Sequence, residues 1–401
     1  MDKETLAIRN LNKARALHQP STLHAVRDLF LSCLAKLPIL PQRARSNRVL
    51  LIRPDHLGDV LLMTPALQFI KRERPETELH VICGAWAAEV LARFAEVDVV
   101  LTLDFPGFQR GGGSPRGNPY LRALDSARML RRIGYDSALI MRPDHWWGAM
   151  LAFLAGIEER IGYDKANVAP FLTGRAPHQQ EHAVLQNLHL AQFWLGAAHN
   201  RDIELALTVD PADAAAVDQL LSDRGIDSTE PIVCIHPGSG MPSKLWKADK
   251  WAEVADQVAW LHKAAIVFTG SSAEKALIDE IAGKMMAQSF SVAGETSAGQ
   301  LAALYRRAGA VLGPDSGAMH VAAAVHTPTV TLFGPADPIE FAPWGDCRKH
   351  AAITSTIACR PCRILDWRDD SPEYHPCVRD ISVSQVLEET QRVLGAKSAE
   401  D

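Results

Sequence analysis

The sequence predicts an α/β protein with two doubly wound, Rossmann-like domains. The chain has 401 residues, and at roughly 100–200 residues per domain this length suits two or three domains. Short apolar runs typical of buried parallel strands alternate with helical patterns. The alternation occurs twice, separated by a helical connector and a Pro/Asp-rich segment. We therefore expect two similar parallel sheets covered by helices, with the active site in a cleft between the domains.

The predicted elements divide the chain into four parts. A helical extension occupies residues 1–45, the first sheet domain 46–205, the second 206–380, and a C-terminal helix and tail 381–401. The predicted strands are 48–53, 78–83, 97–103, 136–141, 160–163, 231–236, 264–269, 310–313 and 329–333. The main predicted helices are 58–74, 86–94, 121–133, 147–155, 250–262, 273–286, 300–308 and 318–325. The glycine-rich stretch 107–120 is expected to form a surface loop.

Composition excludes several classes of protein. A formal net charge of −5 gives no sign of a general nucleic-acid binder. The polar N-terminus lacks the apolar core of a secretory signal, and no run reaches the ~18 apolar residues of a membrane span. Seven cysteines, an odd number in a long chain, indicate a reducing compartment. We expect a cytoplasmic protein without a nucleic-acid partner.

The loop after the first predicted strand carries a candidate catalytic group. Arg53-Pro-Asp-His56 is followed by Gly58 and Asp59. Because ligands of doubly wound sheets bind beyond the carboxyl ends of strands, Asp59 can act there as a general base on a hydroxyl. The alternative is that Asp59 caps the next helix, since Asp is a favoured N-cap residue.

The tetrad Arg-Pro-Asp-His recurs at residues 142–145, again after a predicted strand. Two such loops at one sheet edge would direct Arg53 and Arg142 at the same ligand, as suits an anionic or polyhydroxyl acceptor. The alternative is ordinary turn chemistry, because Pro-Asp is common in turns.

Two loops of the second domain suit a phosphate. After strand 231–236, a small-residue loop leads to Lys244, where backbone N–H groups and the ammonium can hold phosphate oxygens. At residues 313–320, Asp315 and Ser316 precede a helix whose first N–H groups are unpaired. The alternatives are a plain turn with a solvated Lys244, an N-cap role for Asp315, and a packed core histidine at His320.

Together these segments resemble glycosyltransferase family nine, the ADP-heptose:lipopolysaccharide heptosyltransferase-like enzymes. The resemblance runs from about Arg48 to about Leu394. Its carrying segments are 49–53 with 58–67, 236–240 with 244–246, 268–274, and 313–320 with 328–335.

The resemblance implies a GT-B fold of two facing Rossmann-like halves and an inverting, metal-independent transfer that needs no cofactor. The donor is then a nucleotide sugar, expected to be an ADP-sugar, and the acceptor a lipopolysaccharide-type or other glycan. Asp59 matches the catalytic base. The implied donor-binding residues are Ser239, Gly240, Lys244, Glu274, Thr296, Asp315, Ser316, Gly317 and His320. Among the candidate acceptor-binding residues, Arg53 also matches a basic residue of the family near the acceptor and sugar. The others, from the two tetrads, are His56, Arg142 and His145.

Other functions remain open at this stage. The same fold suits a nucleotide-sugar epimerase or hydrolase, and a non-catalytic glycan-binding protein. The apolar segment 29–40, followed by Arg43, Arg45 and Arg48, suits peripheral association with an inner-membrane surface or, alternatively, a helix packed on the protein body.

A cysteine cluster lies near the C-terminus. Cys359-Arg-Pro-Cys362 is followed by Cys377, with His375 and Cys347 nearby in sequence. These residues suit either a structural metal site, which needs four ligands, or a set of reduced or redox-labile thiols. No metal is assigned to catalysis.

Overall fold

The computed structural model describes residues 1–19, 21–42, 47–108, 118–198, 203–365, 367 and 371–397. Most of the predicted glycine-rich loop lies outside these ranges, as do Arg43 and Arg45. The chain forms two compact units. The N-terminal unit is Gln19–Ile203, and the C-terminal unit combines Glu204–Asp401 with Met1–His18. The first helix, α1 (Lys3–His18), therefore belongs to the C-terminal unit, and the predicted helical extension is divided between the two units.

The N-terminal unit contains a six-stranded parallel sheet in the order β3-β2-β1-β4-β5-β6. Its strands are β1 (Arg48–Ile52), β2 (Glu78–Cys83), β3 (Val99–Thr102), β4 (Ser137–Ile140), β5 (Glu159–Tyr163) and β6 (Gly174–Ala176). Its helices are α2 (Thr22–Leu34), α3 (Leu57–Leu61), α4 (Thr64–Glu73), α5 (Ala85–Leu91), α6 (Pro119–Ile133), α7 (Trp146–Leu154) and α8 (Ala183–Leu195).

The C-terminal unit repeats this plan with a parallel sheet in the order β12-β11-β10-β7-β8-β9. Its strands are β7 (Ile232–Ile235), β8 (Ala265–Phe268), β9 (Ser289–Ser291), β10 (Ala310–Pro314), β11 (Thr329–Phe333) and β12 (His350–Thr354). Its further helices are α9 (Pro211–Ser222), α10 (Ala248–His262), α11 (Lys275–Ala282), α12 (Ala298–Arg307), α13 (Gly317–Ala324), α14 (Pro338–Phe341), α15 (Pro376–Arg379) and α16 (Val383–Lys397).

Successive side chains of β1 are buried in two different clusters, one on each face of the sheet. Leu50 and Ile52 belong to one buried cluster, and Val49 and Leu51 to another. Successive side chains of a strand point to opposite faces, so helices cover both faces and every residue of β1 after Arg48 is apolar. The prediction of two doubly wound parallel sheets is confirmed. Within the described ranges, no helix is both long and apolar enough to cross a membrane.

Some predicted boundaries were wrong for identifiable reasons. The single helix predicted over 58–74 is two helices, because Pro65 in the first turn of α4 cannot continue a helix from α3. The strand β12, with alternating burial at the edge of the second sheet, was not predicted, and neither were β6 and β9. The last two are the shortest strands. Each has only three residues and lies at a sheet edge, where burial on both faces is not required.

Each sheet has one topological switch point. The chain builds outward from β1 through β2 and β3 and then crosses to β4 on the other side. In the second sheet the same reversal separates β7 from β10. Ligands of open parallel sheets bind outside the carboxyl ends of the strands at such points.

The Gly148→Ala variant should unfold at a lower urea concentration than the wild type, with a loss of about 1–3 kcal/mol. A Cβ at Gly148 of α7 would lie 2.4 Å from Nδ1 of His145 and 2.9 Å from Cγ2 of Ile52. Gly395→Ala in α16 is the matched control, since its Cβ meets nothing within 4 Å. This control should be neutral or stabilising by up to about 1 kcal/mol. Equal midpoints for the two variants would contradict the packing described here.

Candidate functional site

A buried carboxylate joins the two Arg-Pro-Asp-His loops at the β1/β4 switch point. Asp55 Oδ2 lies 2.8 Å from Arg53 Nε, and Asp55 Oδ1 accepts a hydrogen bond from Arg142 Nη1. The Asp55 side chain is only 3% exposed. The prediction that the two loops lie at one edge is therefore correct. Asp55 itself was not predicted as a site residue, although it stands inside the first tetrad.

Arg53 is fixed from several sides. Its Nη1 donates to the backbone oxygen of Met141 and to Asn187 Oδ1, the latter at 3.1 Å. Asn187 is itself anchored through Nδ2 to the backbone oxygens of Leu62 and Ala183, at 3.1 and 2.8 Å. The guanidinium is thus held in one orientation at the carboxyl end of β1.

Asp59 lies beside this fixed cation and is open to solvent. Its Oδ1 is 3.8 Å from Arg53 Nη2, and its side chain is 34% exposed. His56, not Asp59, occupies the N-cap position of α3, so the helix-capping alternative is wrong. Asp59 lies in the first turn, where the helix dipole favours a negative charge.

Arg142 and Asp55 hold each other in their charged forms. Burial alone would raise the pKa of Asp55, but the neighbouring Arg53 and Arg142 cations keep it below its ordinary value. Burial opposes the charge of Arg142 too, and Asp55 and Asp144 more than offset it, raising the pKa of the guanidinium. Arg142 Nε also contacts Asp144 Oδ1 at 2.7 Å, and the guanidinium stacks over the Phe108 ring at 5.1 Å.

The two histidines of the tetrads have different surroundings. The His56 ring lies 5.1 Å from the Trp86 ring, whose Nε1 donates to the Asp55 backbone oxygen at 2.8 Å. His145 is 4% exposed and packs 5.4 Å from the Phe105 ring. Among the described residues, neither ring nitrogen of His145 finds a hydrogen-bond partner. Its predicted contact with an acceptor stays a prediction.

In the C-terminal unit, Lys244 and Asp315 meet at the β7/β10 switch point. Lys244 Nζ lies 2.5 Å from Asp315 Oδ2 and 3.3 Å from its backbone oxygen. Lys244 is therefore not simply solvated. Ser316, not Asp315, is the N-cap of α13, and within the described chain its buried Oγ has no hydrogen-bond partner. This cluster offers an ammonium, a hydroxyl and a helix N-terminus.

The Glu274 side chain packs against the loop that follows β7. Its Oε2 accepts hydrogen bonds from the Ser271 backbone N–H and hydroxyl at 2.7 and 2.8 Å. A Cβ at Gly238 would lie 2.0 Å from Glu274 Oε1, so only glycine allows this approach. Below the loop, His236 Nδ1 lies 3.1 Å from Thr269 Oγ1, which in turn contacts the Tyr305 hydroxyl at 2.8 Å.

The predicted donor residues follow four adjacent strands, β10-β7-β8-β9. Because these strands are parallel, their carboxyl ends share one edge. After β10 come Asp315, Ser316, Gly317 and His320; after β7, Ser239, Gly240 and Lys244; after β8, Glu274; and after β9, Thr296. Thr296 is half-buried, and His320 is buried within α13. The roles assigned to the individual residues stay predictions.

Three cysteines of the C-terminal unit come together at one cavity, which Ser243, the neighbour of Lys244, also lines. Cys359, Cys362, Cys377 and His375 line one small cavity together with Asn10 of α1. Burial raises the pKa of all three thiols, that of Cys377 to about 12. Across the described ranges, no three His, Cys, Asp or Glu side chains are arranged to hold a metal ion. The raised pKa values favour the protonated form of these thiols, of which Cys359 and Cys377 are buried and Cys362 is half-buried.

Two doubly wound parallel sheets, each with a polar cluster at its switch point, match the fold of the GT-B glycosyltransferases. The chain belongs to glycosyltransferase family 9 (heptosyltransferase), whose family model matches residues 124–366. The protein is thus a glycosyltransferase, as the resemblance predicted. The matched range includes Arg142 and the predicted donor residues but begins after Arg53 and Asp59.

Known proteins resemble the chain over most of its length. Lipopolysaccharide heptosyltransferase 2 of Salmonella typhimurium is 26% identical over 361 residues, which are 86% of this chain and 98% of that protein. The Veillonella parvula family 9 structure has a TM-score of 0.71 at 21% identity, covering 89% of this chain and 99% of that one. Escherichia coli ADP-heptose LPS heptosyltransferase II gives 0.69 at 23% identity, covering 88% and 99%. These structures establish the shared fold.

The His145→Phe variant should flatten the acid side of the stability–pH profile. Burial, reinforced by Arg142, lowers the pKa of His145 to about 3. An unfolded histidine titrates near ~6.5, so the unfolded state binds the extra proton between these values. Wild-type stability should fall as pH drops through this window, by up to about 1.4 kcal/mol per pH unit from this group.

Urea unfolding at pH values between 4 and 6.5 measures this effect. His350→Gln is the comparison, because burial lowers the pKa of His350 only to about 4 and its contribution should end at a higher pH. A profile for His145→Phe that runs parallel to that of the wild type would refute the assignment.

Proposed function

We propose that this glycosyltransferase transfers a heptose from an ADP-sugar to a hydroxyl of a lipopolysaccharide-type glycan, with inversion at the anomeric carbon. The observation that carries the proposal is the half-exposed Asp59 carboxylate beside the fixed Arg53 cation at the β1/β4 switch point. The names of the Salmonella typhimurium and Escherichia coli relatives support the sugar and the acceptor class.

In this proposal the N-terminal unit binds the acceptor. Asp59 accepts the proton of the acceptor hydroxyl while its oxygen forms a bond to the anomeric carbon. Arg53 and Arg142 donate hydrogen bonds to acceptor oxygens, and His56 and His145 border the same loops. Asp55 keeps the two guanidiniums in place through its contacts with both.

The C-terminal unit binds the donor. As the bond from the anomeric carbon to the diphosphate oxygen breaks, its electron pair stays on that oxygen. The Lys244 ammonium, the Ser316 hydroxyl and the first N–H groups of α13 stabilise the developing charge. Glu274, beside the loop after β7, is suited to accept hydrogen bonds from ribose hydroxyls. Ser239, Gly240, Thr296 and His320 complete the proposed donor set.

The charge of the leaving diphosphate is thus met by groups of the chain itself, and the proposal assigns no metal or other cofactor. It places the protein in the cytoplasm, at the inner-membrane surface that carries a lipid-linked acceptor. Nucleic acid has no part in it.

Asp59→Asn should lower the turnover number for sugar transfer by about 10²–10⁴-fold. An amide of the same shape cannot take the hydroxyl proton, whereas donor binding uses the other unit. Transfer from ADP-heptose to a delipidated lipopolysaccharide core is measured, together with the dissociation constant for ADP by calorimetry. Glu76→Gln, an exposed carboxylate just before β2 at the opposite, amino-end edge of the sheet, is the control and should keep full activity. Near wild-type turnover in Asp59→Asn would sink the general-base assignment.

The same assay without acceptor separates the competing activities. A transferase should consume ADP-heptose only slowly when alone, whereas an epimerase or hydrolase converts it at full rate. Rapid donor conversion without acceptor would replace the proposed function.

Lys244→Ala should weaken ADP binding by at least about tenfold, since a charge-assisted hydrogen bond contributes about 1.5–3 kcal/mol. Adenosine, which has no phosphate, should bind the variant and the wild type equally. Lys247→Ala changes an exposed lysine three residues away and should leave ADP binding unchanged. Equal ADP affinities for Lys244→Ala and the wild type would remove Lys244 from the phosphate site.

A further inference from the structure

The helix α2 is apolar on the side that faces solvent as well as on the side that packs. Its inner side buries Leu31 and packs Leu34 and Ala35 against the core of the N-terminal unit. Its outer side exposes apolar residues, among them Leu23 at 78% and Leu29 at 67%. The outer residues are Leu23, Val26, Leu29, Phe30 and Cys33. The solvent side of a surface helix is normally polar, so the apolar outer side of α2 is unusual.

The spacing of the outer residues makes them one surface. Steps of three, four and seven residues place side chains on the same side of a helix, and Leu23, Val26 and Phe30 follow these steps. Leu29 and Cys33 form a second row, four residues apart, beside the first. Leu37 and Leu40, just beyond the helix, are also exposed.

The apolar surface continues onto α6. The Phe30 and Tyr120 rings meet edge to face at 5.3 Å, and Arg131 Nη2 donates to the Leu40 backbone oxygen at 2.9 Å. Next to these contacts, α6 exposes Leu121 and Leu124. We call this combined surface of α2, residues 37–40 and α6 the docking face.

The docking face is basic in an acidic protein. Its segments 22–40 and 119–133 contain six Arg and Lys residues against two Asp residues, whereas the whole chain has a net charge of −5. The two acids pair with Arg27 and Arg128. An excess of four positive charges therefore accompanies the exposed apolar side chains.

We propose that the docking face binds the surface of an anionic lipid membrane, with the α2 side chains in the acyl boundary and the arginines at the headgroups. A second copy of the chain fits less well, because a two-fold contact would set this positive surface against itself. Within the described chain, no helix is long and apolar enough for insertion across the bilayer, so the association is peripheral. The proposal does not depend on which sugar is transferred. Binding there would bring the protein to the membrane surface that holds the proposed lipid-linked acceptor.

Sedimentation with vesicles tests the proposal on the full-length protein. Vesicles of phosphatidylethanolamine and phosphatidylglycerol should bind the wild type, and vesicles of phosphatidylcholine alone should bind it less. The double variant Leu23→Ser/Leu29→Ser should reduce the partition coefficient by about tenfold per leucine, because each loses the transfer energy of a buried side chain. Arg132→Gln should reduce it by about fivefold, and only on the anionic vesicles.

The matched control removes exposed apolar residues from the other unit. Leu261 and Met286 are as exposed as the α2 leucines, so Leu261→Ser/Met286→Ser should bind vesicles like the wild type. Urea unfolding in parallel shows that every variant is folded, and calorimetry with ADP separates a failure of this proposal from a failure of the proposed function. No binding by the wild type, or equal loss in the control, would overturn the docking face.

Light scattering tests the alternative that the docking face binds a second copy of the chain. If the docking face joins two copies of the chain, the wild type will be a dimer that the Leu23→Ser/Leu29→Ser variant dissociates. That result would overturn the membrane proposal, whereas the same oligomeric state in both proteins supports it.

Discussion

The buried pairing of Asp55 with Arg53 and Arg142 is the interaction on which the N-terminal site depends. The strand order places β1 beside β4, so two loops far apart in the chain emerge at one edge. Two guanidiniums this near to one carboxylate would repel each other in its absence. The negative charge of Asp55 between them offsets the repulsion and fixes both side chains. Removing one partner of a buried ion pair typically costs about 3–5 kcal/mol. Arg53 is therefore held in one orientation beside Asp59.

The C-terminal unit repeats this pairing of opposite charges at its own switch point. Lys244 and Asp315 pair at the second switch point, again between the first strand of the sheet and the strand across the reversal. A diphosphate would add a second anion to the Lys244 ammonium and give the Ser316 hydroxyl an acceptor. In both units the fold supplies the strand ends, and a few charged side chains supply the chemistry.

The sequence predicted what depends on local pattern. The apolar runs of β1, β4 and β10 and the recurrence of the alternation predicted both sheets, because strands buried on both faces must be apolar. The three-residue edge strands β6 and β9 leave no such pattern. Among site residues, Asp59 and Lys244 were identifiable by position after a strand. The role of Asp55 was not, since it arises only from the long-range pairing of β1 with β4. Likewise, the apolar segment 29–40 did not reveal that α2 is apolar on its outer side.

Kinetics of the Asp55→Asn variant test the central claim most directly. The amide preserves the shape of the side chain but removes the charge that holds both arginines. The specificity constant for sugar transfer should fall by about a hundredfold or more, as expected from a small misplacement of the reacting groups. The dissociation constant for ADP should stay within about twofold of the wild type, because the proposed donor groups lie in the other unit and, among the described contacts, share no partner with Asp55. Unchanged transfer with intact ADP binding would contradict the claim that this buried carboxylate organises the site.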